Sequence, residues 1–211
     1  ISLSPKVYFI DALGAMAFGL FASLLVGTIL NSIGNIFAIS FFTERIWPLV
    51  GKATGAAIAV SIAYALKAPN LVLFASTIVG LGAYELGGPV GVYIATIFAT
   101  EFAKLVSKKT KLDIIITPTV TILVGVLVGD FIGPGVASFM TWIGNLIMHA
   151  TELQPFLMGI VVSVLVGIAL TLPISSAAIC MMLGLSGLAG GAATVGCCAQ
   201  MVGFAVISYK D

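Results

Sequence analysis

The chain has 211 residues, of which 60% are hydrophobic and 8% charged, with a net charge of +1 and a mean hydropathy of +1.22. A soluble domain carries about 25% charged residues, and a soluble core of this size would leave too little polar surface to cover so many apolar side chains. The composition therefore requires a lipid bilayer as solvent and, with no basic stripe and no interleaving of basic and aromatic residues, excludes nucleic acid as a partner.

Taken in chain order, the start "ISLSPKVYFIDALG" lacks the basic residues and A-x-A site of a signal peptide, which makes a trimmed or incomplete amino terminus the expectation. Hydropathy then predicts apolar segments over residues 9–30, 47–66, 71–86, 90–103, 114–129 and 156–172, with two more within 175–208. Residues 32–46 and 135–149, with Asn35, Trp142, Asn145 and His149 in them and Trp47 next to the first, read as helices lying at a headgroup boundary, where Trp is enriched. The segment 71–86 gives about 24 Å of helix against a hydrocarbon core of about 30 Å. That shortfall predicts a re-entrant hairpin turning at Gly87, Gly88 and Pro89, and a second one is expected around "GLAGGAATVG" at 187–196.

The two halves of the chain match in order. "LVGTILNSIG" (25–34) pairs with "LVGVLVGDFIG" (123–133), and "TERIWPLVG" (43–51) with "TELQPFLMG" (151–159). Gly51, Gly55, Ala59 and Ala63 correspond to Gly159, Ser163, Gly167 and Thr171 at an offset of 108, and Pro69 with Gly80 is repeated by Pro173 with Gly184. The fold class expected is an all-α integral membrane protein with about eight transmembrane or re-entrant segments in two tandem halves, 1–105 and 106–211, plus interfacial helices. The lysines support a parallel repeat. With both halves starting inside, Lys6, Lys67, Lys104, Lys108, Lys109, Lys111 and Lys210 fall inside, and Arg45 and Lys52 outside. A full crossing by 135–149 would instead invert the second half.

Small residues recur every fourth position, as in Ala15, Gly19, Ser23 and Gly27, or Thr121, Gly125, Gly129 and Gly133. Such stripes allow close backbone contact, within one chain or across the seam of a homo-oligomer.

Glu85 is the foremost candidate for a functional role. A carboxylate at mid-membrane costs about 2.5–3.5 kcal/mol or more, so it faces a cavity or a partner, or carries a proton. Two readings stand. Glu85 is either a solvated residue at an outer turn, or the tip of a re-entrant hairpin in which Gly87 and Gly88 free backbone groups for a ligand. Ser175 and Ser176 follow Pro173 at a short helix start, where exposed N–H groups can either be capped or bind a polar solute. His149, the sole histidine, sits near Glu152 and reads as a surface hydrogen-bonding group or a solute contact. Asp130, before Gly133-Pro134-Gly135, reads as a loop acid, and Thr43-Glu44 and Thr151-Glu152 as helix caps. Cys180, Cys197 and Cys198 lack metal-ligand spacing. No catalytic residue, metal site or cofactor is expected, since Walker, HExxH and Cys/His motifs and a nucleophile triad are all missing from the sequence.

The stretches "SPKVYFIDALGAMAFGLFASLLVGTIL", "ATGAAIAVSIAYALKAP", "YELGGPVGVYIA" and "LTLPISSAAICMMLGLSGLAGGAATVGCCAQMVGF" resemble the bacterial phosphotransferase-system EIIC-like membrane family, which includes perfringolysin-regulator type proteins. The resemblance runs along nearly the whole chain. It implies a multi-pass protein of the bacterial cytoplasmic membrane, related to permeases that move sugar while a separate cytoplasmic phosphotransferase partner phosphorylates it. It also implies a longer chain than the one present. The expected function is transport of a small polar solute, a sugar by this resemblance, bound near the hairpin tips. The alternative is a regulatory or sensing membrane protein that moves no substrate.

Overall fold

The computed structural model describes residues 6–109, 112–169, 183 and 185–208, and among them the regular structure is helical throughout. The elements are α1 (Val7–Phe37), α2 (Phe41–Ala65), α3 (Asn70–Val106), α4 (Asp113–Leu153), α5 (Pro155–Ala169) and α6 (Gly187–Ser208). Five of these, all except α5, are long and apolar enough to cross a membrane. The described apolar part of α5, Pro155–Ile168, is shorter. The chain divides into two compact units, Ile1–Ala137 and Ser138–Asp211, with α4 contributing to both.

The first unit is packed through its smallest residues. A Cβ built on Gly19 of α1 would stand 2.7 Å from the Ile58 Cα of α2, and Gly55 of α2 and Gly80 of α3 each face the other's carbonyl oxygen. The interior is correspondingly rich in alanine and threonine: Ala59, Ala63, Ala95, Thr54, Thr96 and Thr121 are all fully buried. The bulky side chains point outward instead, with Phe131 85% and Tyr64 77% exposed. This is the arrangement that lipid favours. Exposing Phe to hydrocarbon costs nothing there, so helices associate through close van der Waals contact between small residues.

Several buried hydroxyls in these helices turn back on their own carbonyls. Thr54 Oγ1 donates to Val50 O at 2.7 Å, Ser76 Oγ to Leu73 O at 2.7 Å and Thr121 Oγ1 to Thr117 O at 2.8 Å. Each such bond satisfies a polar group that has no water to turn to. Tyr93 of α3 uses its hydroxyl differently, donating to Tyr8 O at 2.7 Å and so tying α3 to the start of α1.

In the second unit α5 packs on α6. Gly196 lies against the Ser163 backbone, and Val162, Val166 and Ala193 form a small buried core with Ile147 and Ala192 against it.

Several boundaries differ from the sequence expectation. Residues 32–37 continue α1, which ends where Ala38 takes a left-handed conformation, and the next helix starts at Phe41. Likewise 135–149 is not separate from the preceding segment: α4 runs unbroken through Gly133-Pro134-Gly135. A proline lacks the N–H that would bond four residues back and its ring crowds that carbonyl, yet α4 continues here, with Gly133 packed against Leu86 and Gly87. Asp130 is therefore a helical residue, exposed on α4, and not a loop acid. Thr151 is not an N-cap. It lies in the last turn of α4 and donates to Ile147 O at 2.7 Å. No side chain caps the helix at Thr43-Glu44 either, because that helix already begins at Phe41. In "GLAGGAATVG" the break falls at Gly187, whose φ is +54°, and Gly190-Gly191 lies inside α6.

Candidate functional site

The longest apolar stretch of the first unit does not run straight. α3 comprises 37 residues, which would span about 55 Å as one rod, but Gly88 interrupts it with φ +58° and ψ −157°. That region of backbone space is open essentially to glycine alone. Pro89 enforces it from the other side, since a residue preceding proline is driven out of the helical region, while proline itself is well placed to start the next helix. The tripeptide Gly87-Gly88-Pro89 thus encodes a turn between two limbs, residues 70–87 and 89–106.

Two sets of contacts show that the limbs fold back as a hairpin. A Cβ on Gly91 would stand 3.1 Å from Ala83 O, although residues eight apart in a straight helix are separated by about 12 Å. In addition, Gly125, Gly129 and Gly133 of α4 pack against Val79, Ala83 and Gly87 of the first limb. The constant offset of 46 means that α4 runs parallel to this limb. The second limb must therefore return along the length of the first before the chain reaches Asp113.

The tip of this hairpin carries the sequence-predicted residues Glu85, Gly87 and Gly88. Gly87 is buried, with its Cβ position 2.9 Å from Gly133 Cα, so the turn is braced by direct backbone contact with α4. Glu85 lies two residues from both Ala83 and Gly87, roughly on the opposite side of the limb from α4, and is exposed. Its carboxylate has no ion-pair partner among the described residues. Pro89 has no N–H, and the N–H groups of the following first turn lack acceptors within their own helix. The tip thus offers a carboxylate acceptor and a helix amino terminus within a few residues of each other.

Two residues that the sequence reading set apart from this turn, Gly133 as a packing position and Asp130 as a loop acid, both lie on α4, which packs along the first limb, with Gly133 against Gly87. The register of 46 puts Asp130 level with Tyr84, one residue from Glu85, on the adjacent helix. The signal was present in the spacing, since Gly125, Gly129 and Gly133 share a four-residue period with Val79, Ala83 and Gly87. His149 belongs to the second unit, where it is exposed on α4. Ser175 and Ser176 lie outside the described residues. Among the described residues no group of His, Cys, Asp and Glu is placed to hold a metal ion.

Apolar helices of spanning length, a small-residue interior and a glycine-turned helical hairpin define the class as a multi-pass α-helical membrane protein. A family model described as "Phosphotransferase system, EIIC" matches residues 10–211, and the chain belongs to this family. It is accordingly a membrane transport domain of the EIIC type, working with other components of the phosphotransferase system. No curated protein and no solved structure matches the chain.

Proposed function

We propose that this domain carries a sugar across the bacterial cytoplasmic membrane, with Glu85, Gly87 and Gly88 at the first hairpin tip, and Ser175, Ser176 and His149 in the second half, contributing to its binding. A separate cytoplasmic phosphotransferase protein then phosphorylates the sugar. The observation that carries this reading is the family match over residues 10–211. The hairpin supports it: a discontinuous helix with a carboxylate beside its break is how many transporters place hydrogen-bonding groups at membrane depth. A carboxylate accepting from sugar hydroxyls and a helix amino terminus donating to them are complementary to a neutral polyol.

In the same reading the transport domain is a tandem repeat, 1–105 and 106–211. Gly55 and Ser163, matched at the offset of 108, each lie against the backbone of a later helix, at Gly80 and at Gly196, though these two partners are not themselves matched positions.

Uptake of labelled sugars into proteoliposomes tests the assignment. Glu85→Gln is expected to lower the rate at subsaturating sugar by about tenfold, as on losing a charge-assisted hydrogen bond, without changing the melting temperature. Unchanged uptake removes Glu85 from the site. No uptake of any sugar by the wild type, together with a specific crosslinked partner, replaces transport with a regulatory role.

A further inference from the structure

The return limb of α3, residues 89–106, carries a polar stripe through an otherwise apolar helix. At about 100° per residue, Tyr93, Thr96, Thr100 and Lys104 fall within about 80° of one another, and Glu101 joins the end of the stripe through its 2.8 Å ion pair with Lys104. The stripe is turned inward. Thr96 and Thr100 are fully buried and Tyr93 and Lys104 half-buried, while Phe98 and Phe102 on the other side of the limb are exposed. Both ends of the stripe meet the first turn of α1: the Tyr93 hydroxyl donates to Tyr8 O at 2.7 Å, and the Tyr8 phenol lies beside the Glu101 carboxylate. We propose that this stripe is one wall of a water passage entering the membrane domain from the Lys104 end, closed in this structure by the start of α1. The inference goes beyond the transport reading and does not depend on which solute is carried.

The state of the hydroxyls carries it. Thr54, Ser76, Thr121 and Thr151 are buried too, and each donates to a carbonyl of its own helix. Thr96 Oγ1 and Thr100 Oγ1 have no hydrogen-bond partner among the described residues, and neither has Glu101 Oε2. A helical threonine has a rotamer that bonds back three or four residues, so on two successive turns of this limb the hydroxyl is held off that bond. Covered by protein and unbonded, such groups are costly. Parting the limb from α1 lets water meet them and removes that cost.

The spacing and the charge both suit water. Thr96 and Thr100 are about 6 Å apart along the limb, close to twice the length of an O–H···O bond of about 2.8 Å, so a single water bridges the two hydroxyls. At the mouth, the Glu101–Lys104 pair leaves the passage without net charge, which favours water over an ion of either sign. Polar groups at membrane depth face the interior of a bundle or a water-filled cavity, and this stripe passes from one to the other when the seam opens. The segment that closes it, Val7–Ala12, is wound as a π-helix, a form found frequently at functional sites.

Thiol labelling of the full chain in lipid nanodiscs tests the passage, in a background of Cys180→Ala, Cys197→Ala and Cys198→Ala. Thr96→Cys and Thr100→Cys are expected to react with a small water-soluble methanethiosulfonate about tenfold faster than Thr54→Cys and Thr121→Cys, whose positions are just as fully buried but lie off the stripe. Tyr93→Phe removes the bond to Tyr8 O and should raise the rate at Thr96→Cys by a further threefold or about that. Cysteine is close to threonine in size, melting temperatures identify the variants that fold, and either folded stripe variant decides the question. Rates on the stripe no faster than at Thr54→Cys and Thr121→Cys overturn the passage. A rate at Thr96→Cys that Tyr93→Phe leaves unchanged overturns the closure by the start of α1.

Discussion

At the tip of the α3 hairpin Glu85 stands exposed beside a turn of glycines. Sixteen residues further on, at the base, Glu101 is largely buried and accepts from Lys104 Nζ at 2.8 Å, with the two side chains 17% and 21% exposed. Thr96 and Thr100, on the same return limb, are fully buried, and their hydroxyls have no hydrogen-bond partner among the described residues. The difference separates charge that the fold uses from charge that it leaves free. The Glu101–Lys104 pair neutralises a carboxylate that packing has drawn inward, near the lysine-rich connection to α4. Glu85 stands beside glycine contacts that would form without it, so its charge plays no part in packing the turn.

This contrast can be broken most severely at the turn. Gly87→Leu forces a side chain into the Gly133 backbone, 2.9 Å from its Cα, and neither backbone can yield without moving a helix. The expected loss is about 3 kcal/mol, read as a large fall in thermal midpoint in nanodiscs. Gly88→Ala meets no neighbour within 4 Å, but it must adopt φ +58°. Strain alone should cost it about 2 kcal/mol, so the two variants separate crowding from backbone geometry at one turn.

Effects at the base are smaller. Lys104→Met leaves Glu101 without its cation, and a partly exposed pair predicts a loss of about 1 kcal/mol. A double-mutant cycle with Glu101→Gln should recover most of that loss. Thr96→Val and Thr100→Val remove hydroxyls that have no partner among the described residues, so each should leave stability unchanged or raise it by about 0.5 kcal/mol. Thr54→Val, which deletes the 2.7 Å bond to Val50 O, should cost about 1 kcal/mol. A destabilised Thr100→Val would show that the return limb uses its hydroxyl after all. Smallest of all is Glu85→Gln, expected within about 0.5 kcal/mol of wild type while transport falls. A large loss of stability there would collapse the distinction between tip and base.

Much of this architecture is legible in the residue order. The Gly-Gly-Pro turn follows from glycine's access to positive φ and from proline's effect on its predecessor, which are local rules. The small-residue stripes mark where helices touch, and Gly19, Gly55, Gly80 and Gly125 all make such contacts. Local rules fail where tertiary packing competes with them. Gly133-Pro134-Gly135 reads as a stop, yet α4 continues through it, because Gly133 is braced against Leu86 and Gly87. Thr151-Glu152 reads as a cap for the helix that follows, yet Thr151 bonds within α4 and Glu152 lines a cavity with residues 34 and more positions later in the chain.

Composition and residue order alone determined that this is a helical membrane protein, because 60% apolar and 8% charged residues admit no aqueous fold, and that α3 turns at Gly87-Gly88-Pro89, because glycine reaches positive φ and proline drives its predecessor out of the helical region. Which helix lies beside which, and in what register, was decided by the tertiary structure alone. In lipid every apolar face is equally well solvated, so a hydrophobic pattern names no partner. The partner is chosen by close fit between small residues far apart in sequence, as where Gly87 meets Gly133 and brings Asp130 level with the turn beside Glu85.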